Sequence, residues 1–240
     1  MTSLRSPLLR LIDRRRLLAL LGASAALLLA RRAPAQTAGK PGLCVLTPAQ
    51  TEGPYFVDER LNRSDIRSDP ADGSLRPGLP LTLALRVAAV DGERCTPLPG
   101  AMVDIWHCDA DGVYSDVADA GADARGRKFL RGYQLTDADG MARFATIYPG
   151  WYPGRAVHIH FKVRTQTAAG RRLEFTSQLY FDEAVTDRAY GREPYARRGP
   201  RRTRNEADGL YRRGGSQLLL SPVETEQGYA ASFDVAVRVA

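Results

Sequence analysis

Tyr152-Pro-Gly-Arg155-Ala-Val-His158-Ile-His160-Phe-Lys-Val163 holds two of the three histidines in this 240-residue chain. The two are spaced i and i+2 inside an apolar run. On a strand, side chains alternate faces, so both imidazoles fall on one face while Ile159 points to the other. Such a pair has two readings. It is either a solvated face of a sheet or two adjacent metal ligands. The apolar flanks Ala156, Val157, Phe161 and Val163 argue against free solvation, and buried imidazoles need partners that a metal supplies. Arg155 stands three residues before the first His and Tyr152 six before it.

Outward from this strand the same period continues. Leu81, Leu83, Leu85 and Val87 alternate, and Val103 to His107 follows Pro99-Gly100. Phe129 to Thr136 and Met141 to Ile147 flank Asp137-Ala-Asp-Gly140, a hairpin signal. Arg155 to Thr165 and Leu173 to Phe181 flank Ala168-Ala-Gly170, and two late strands fit Gln217 to Leu220 and Ser232 to Val239. The pattern predicts an all-β protein, an antiparallel β-sandwich of about eight strands with long loops. Residues 184–215 read as a loop excursion or short helices. After the leader, residues 36–240 are expected to form one domain.

The formal charge of +7 suggests a nucleic-acid partner only until it is localised. Seven of the 34 basic and one of the 27 acidic residues lie in residues 1–35, a net of +6. The remainder carries 27 basic against 26 acidic residues, a net of +1, so no nucleic acid is expected. The cluster Arg197, Arg198, Arg201, Arg202 and Arg204 reads as a solvated loop before it reads as a polyanion site.

The leader itself reads as an export signal. Arg14-Arg15-Arg16 precedes an apolar run, Leu17 to Ala30, and Ala33-Pro34-Ala35 presents small residues to a signal peptidase. The run is too short to span a bilayer, so the mature form should hold no stable membrane span. The arginines resemble a twin-arginine signal, with the general secretory route as the alternative. Cleavage is expected near Ala35-Gln36, giving a periplasmic or secreted protein. Three cysteines in an exported chain allow one disulfide and leave one thiol over. Cys44–Cys108 is the expected pair, because both flank segments that carry candidate ligands.

Trp106-His107-Cys108-Asp109-Ala110-Asp111-Gly112-Val113-Tyr114 is a strand running into a loop that presents Tyr114. Pro149-Gly-Trp-Tyr152-Pro-Gly154 presents Tyr152 just before the His strand. Alone, either Tyr reads as packing. Two Tyr and two His converging on one sandwich end would form a hard, anionic donor set. Two phenolates and two neutral imidazoles balance two of the three charges on Fe(III), which can deprotonate a phenol of ordinary pKa about 10. His107 reads as structural, or as a support beside the ligands.

These segments carry a resemblance. Thr47-Pro-Ala-Gln-Thr-Glu-Gly-Pro-Tyr-Phe56, the Trp106–Tyr114 loop, and Phe129-Leu-Arg-Gly-Tyr-Gln134 through His160 are similar to the intradiol ring-cleavage dioxygenases. Catechol 1,2- and protocatechuate 3,4-dioxygenases belong to that family. The likeness covers roughly residues 44–183. It implies non-haem Fe(III) held by Tyr114, Tyr152, His158 and His160, acting on a catechol-type substrate with O2 to give a cis,cis-muconate-type diacid. It implies that Tyr152 is the dissociable ligand that takes a substrate proton. Arg155 would lie over the substrate ring, and Gln178 would line the same pocket.

The chain departs from the two named enzymes in one respect. Only Pro153 and Gly154 separate Tyr152 from Arg155, which resembles an exported, single-domain branch and implies a more open pocket. Monomer and homodimer both remain open. Two rivals stand beside this reading. One is an exported non-enzymatic module that binds aromatics or carbohydrate through Trp151 and Tyr152. The other is a zinc hydrolase using the His pair, which suits zinc less because zinc prefers His, Cys and carboxylate donors.

Overall fold

Alternating Leu81, Leu83, Leu85 and Val87 form the buried face of the longest strand, β1 (Pro80–Asp91). The remaining elements follow in chain order. They are β2 (Arg94–Pro97), β3 (Met102–Trp106), β4 (Ala118–Asp119), β5 (Ala122–Asp123), β6 (Arg131–Leu135), β7 (Met141–Ile147), β8 (His158–Gln166), β9 (Arg172–Phe181), α1 (Glu183–Tyr190), β10 (Leu219–Leu220), β11 (Val223–Thr225) and β12 (Gly228–Arg238). The structure, a computed structural model, describes residues 44–119, 122–167 and 169–239. The expected export signal and its cleavage point lie outside the described residues. Among the described residues no helix is long and apolar enough to cross a membrane.

Two five-stranded sheets face one another. One runs β11-β12-β1-β2, with β7 also pairing β1, and the other runs β10-β9-β8-β3-β6. Their inner faces interdigitate: Leu81, Leu83, Leu85 and Phe144 meet Val103, Ile105, Ile159, Phe161 and Val163 in one apolar cluster. This is the expected sandwich, its core made by period-2 strands that each bury one face. Most ladders are antiparallel, whereas β1–β12 and β9–β10 are parallel.

Two expectations need correction. The Asp137–Gly140 turn forms, with Gly140 N–H donating to Asp137 O at 2.9 Å, but its flanking strands do not pair. β6 pairs with β3 and β7 with β1, so the turn carries the chain from one sheet to the other. Alternation specifies which face a strand buries, not which neighbour it bonds.

The disulfide is Cys44–Cys95, with Cα atoms 5.6 Å apart, and not Cys44–Cys108. Cys108 is free and buried at the end of β3, its thiol donating to Gly150 O at 3.4 Å. Burial pushes that thiol's pKa up, which keeps it protonated and inert. The bond closes a sequence separation of 51 residues, worth about 4 kcal/mol in a chain-entropy account. It anchors the N-terminal arm that crosses the β8–β9 surface.

The excursion after β9 contains short helices, as expected. Asp182 caps α1, its carboxylate accepting from Val185 N–H at 2.9 Å, and Glu183 sits in the first turn. The Arg cluster resolves mainly into ion pairs. Arg201 and Arg204 bind Glu183 and Asp187, and Arg197 binds Asp111.

Candidate active site

β8 buries both of its faces. Ile159, Phe161 and Val163 enter the core, while His158, His160 and Lys162 face the arm. His158 is 2% and His160 1% exposed, so the solvated-face reading of the pair is wrong. The sheet register explains their neighbours. Trp106 of β3 lies opposite His160, Gln178 of β9 flanks His160 on the other side, and Tyr180 flanks His158. The Trp106 and His160 rings stack at 4.9 Å and 5°, a cross-strand pair that fixes the imidazole plane.

The two tyrosine loops meet through glycines. A Cβ on Gly112 (φ +82°) would lie 2.3 Å from Trp151 O, and one on Gly150 would lie 2.2 Å from Asp109 O. Asp109 accepts from the Asp111 and Val113 amides at 3.0 and 2.9 Å, closing the turn that presents Tyr114. Tyr114 is buried, and Tyr152 is half-buried. Their rings meet edge-on at 5.7 Å.

Four groups converge on His158 Nε2. Tyr152 Oη stands 3.2 Å away, Tyr114 Oη 3.4 Å, Arg155 Nη1 3.4 Å and His160 Nε2 3.0 Å. His158 Nδ1–H donates to Ala156 O at 2.7 Å, so the lone pair of Nε2 faces the cluster. Burial pushes His158 down to about 3 and His160 well below its ordinary value, leaving both neutral and able to coordinate. Burial likewise raises both phenols, so only a nearby cation would ionise them.

These residues fit a metal ion. The two Nε2 atoms lie 3.0 Å apart, close enough for a single ion to reach both at ordinary metal–nitrogen distances of about 2.1 Å. His160 Nδ1 is buried without a hydrogen-bond partner among the described residues, so nothing there holds the His160 proton away from the cluster side. Among the described residues no three His, Cys, Asp or Glu side chains form such a group; the oxygen donors beside the two imidazoles are the phenols of Tyr114 and Tyr152. His107 stays outside it. Its Nδ1 engages Cys108 O at 2.8 Å and its Nε2 engages Thr146 Oγ1 at 2.6 Å, a structural role.

Arg155 is braced on two sides. Nε donates to Asp208 at 2.9 Å and Nη2 to Gln178 Oε1 at 2.5 Å, which leaves Nη1 for the site. Gln178 in turn donates to Thr51 O of the arm at 2.8 Å. Asp208 was not anticipated from sequence. Burial alone would raise its carboxyl, but the Ala156 amide and the Arg155 charge outweigh this and hold it below the ordinary range. It sits 53 residues beyond Arg155 and carries no motif. Tyr55 was also missed, although it lies in the arm segment that carries the resemblance. Its ring stacks on Tyr114 at 4.4 Å and its hydroxyl donates to Asp119.

The three buried histidines make stability fall in acid. Burial holds His158 near 3, His107 near 4 and His160 well below its ordinary value, whereas unfolded histidines titrate near 6.5. The unfolded chain therefore binds three protons that the folded chain refuses. Their contribution is full above pH 6.5 and is lost as pH falls towards 4, at up to about 4 kcal/mol per pH unit. Urea midpoints should drop steeply between pH 7 and 5; coincident midpoints would contradict buried neutral imidazoles.

A family model described as a dioxygenase matches residues 51–190. Catechol 1,2-dioxygenase 1 of Acinetobacter lwoffii is 29% identical over 164 residues, 59% of this chain and 49% of that protein. Hydroxyquinol 1,2-dioxygenase of Nocardioides simplex is 28% identical over 206 residues, 73% of this chain and 65% of that protein. The match thus spans about half to two thirds of these curated relatives. A solved intradiol ring-cleavage dioxygenase from Tetranychus urticae aligns with a TM-score of 0.71 at 31% identity, covering 81% of this chain and 95% of that one. The dioxygenase domain of a Streptomyces sp. SirexAA-E carbohydrate-binding fusion aligns with a TM-score of 0.56 at 33% identity, covering 82% and 100%. With its fold, its family match and its likeness along nearly the whole of a solved relative, the chain belongs to the intradiol ring-cleavage dioxygenases.

Proposed function

We propose that this protein cleaves a catechol-type diol between its hydroxylated carbons with O2, using Fe(III) held by Tyr114, Tyr152, His158 and His160. The observation that carries the reading is the convergence of both phenols and His160 on His158 Nε2 within 3.0–3.4 Å. The ion would bind the catecholate and lend it the radical character that lets it react with triplet O2. No organic cofactor is required, since the substrate supplies the electrons.

The chain's own residues orient and protect the substrate. Tyr152 Oη is the more exposed phenol of the pair and takes the second catechol proton. Tyr114, buried and stacked on Tyr55, keeps its place. Arg155 Nη1 holds positive charge at the edge of the donor set, where negative charge develops on the ring. Asp208 and Gln178 fix its orientation, and Gln178 also borders the substrate. Trp106, Phe56 and Tyr55 form an aromatic wall that limits water.

The relatives named catechol and hydroxyquinol 1,2-dioxygenase support the substrate class over a non-enzymatic binding module. Export is part of the same proposal. The Arg14-Arg15-Arg16 leader supports it, and the Cys44–Cys95 disulfide suits an oxidising compartment.

The test is a visible absorption spectrum of the purified protein before and after anaerobic addition of catechol. A broad band that shifts on addition is expected from tyrosinate–Fe(III). A protein that stays colourless after iron reconstitution would sink the reading.

A further inference from the structure

The pocket beside the two tyrosines is larger than a catechol ring requires. It encloses about 580 Å³, within the roughly 300–1,000 Å³ of sites that hold drug-sized ligands. Besides Tyr114 and Tyr152 its wall carries three charged residues, Asp111, Asp119 and Arg198. The two carboxylates are engaged. Asp111 presents both oxygens to Arg197 Nη2 at 3.0 Å, and Asp119 accepts the Tyr55 hydroxyl.

Arg198 differs. Its Nη1 donates to Trp151 O at 2.6 Å and to Ala110 O at 3.3 Å, and its guanidinium lies 4.5 Å over the Trp151 ring. Both acceptors are neutral. Among the described residues no carboxylate forms an ion pair with Arg198, and no acceptor is bound to its Nη2. The group is also held in place. A Cβ on Gly112 would lie 3.2 Å from both Nη1 and Nη2, so the fork rests flat against the loop that presents Tyr114. A fixed guanidinium with free donors and no counter-charge, on the wall of an oversized aromatic pocket, suits a carboxylate by planar fork geometry.

We propose that Arg198 is a specificity-determining residue that binds a carboxylate carried on the side chain of an extended catechol. The inference rests on the ring-cleavage reading and adds the substrate's charge and reach. The ring occupies the Tyr114–Tyr152 end, and the side chain runs along Pro153 and Gly112 to Arg198.

The test uses three catechols with matched two-carbon side chains. Dihydrocaffeate is anionic, 4-ethylcatechol is uncharged and dopamine is cationic. O2 uptake should give a higher kcat/KM for dihydrocaffeate than for 4-ethylcatechol, carried by KM. In Arg198→Gln the ratio of the two should fall roughly 10- to 100-fold, the value of a lost charge-assisted hydrogen bond. The ratio cancels any disturbance of the Trp151 loop common to both substrates. An unchanged ratio, or a wild-type preference for dopamine, overturns the proposal. If no catechol is turned over, the ring-cleavage reading fails by itself, and the anion site is judged by calorimetry with 3-phenylpropionate, which needs no metal. Binding at least tenfold weaker in Arg198→Gln supports it. Equal affinity in the two proteins, or no binding to either, overturns it.

Discussion

His160→Ala is expected to purify without bound iron and without ring-cleaving activity. The His160 ring is buried against Trp106, its Nε2 lies 3.0 Å from that of His158, and a Cβ on Gly53 of the arm would lie 3.5 Å from its edge. No other described imidazole can replace it, because His107 has both nitrogens committed to Cys108 and Thr146. Loss of an outer partner of a metal ligand costs roughly 10–100-fold in metal affinity or activity, and removal of a ligand itself must cost more. The vacated volume also lowers stability, by roughly 2–5 kcal/mol if the imidazole behaves like a large buried side chain. Iron per chain by elemental analysis, with circular dichroism to show that the fold persists, is the measurement. A folded variant carrying a full complement of iron would exclude His160 as a necessary ligand.

Tyr152→Phe should separate iron retention from turnover. Tyr152 is the half-buried member of the phenol pair, joined to Arg155 by Pro153 and Gly154, while Tyr114 is clamped under Tyr55. Phe preserves the ring's edge contacts with Tyr114 and His158 and removes only the oxygen. Three donors remain, so much of the iron should stay. The proton acceptor is gone, and turnover should fall roughly 10²–10⁴-fold, the usual value of a positioned acid–base group. Unchanged turnover with catechol would end the assignment of Tyr152 as base. Complete loss of iron would instead make it an essential anchor.

Much of this site was legible because its chemistry is local in sequence. His158 and His160 share a face through strand alternation alone, and Arg155 and Tyr152 precede them by a few residues. Gln178 was reached through the resemblance, and the register of β8 with β9 sets it beside His160. Asp208 was illegible for the opposite reason. It reaches Arg155 only after α1 and several turns have folded back over the sheet end, and nothing nearby in sequence marks it. Tyr55 and Thr51 likewise acquire roles only when the arm lies across β8 and β9.

The main strands, their buried faces and the two Tyr-bearing turns were determined by the chain's own alternation and by its Gly and Pro punctuation. These are short-range properties of the backbone. Gln217 and Leu218, expected in a strand, lie instead in a short 3-10 helix ahead of Leu219–Leu220. Strand partnership was decided only in three dimensions. β6 and β7 share a turn yet bond to different sheets, and β12 runs parallel to β1. The disulfide followed the same rule: Cys95 lies within bonding distance of Cys44, whereas the Cys108 thiol is turned inward to Gly150 O. Period-2 alternation states which side of a strand is buried. Which surface covers that side depends on contacts between residues far apart in the chain, and those exist only once the core has formed.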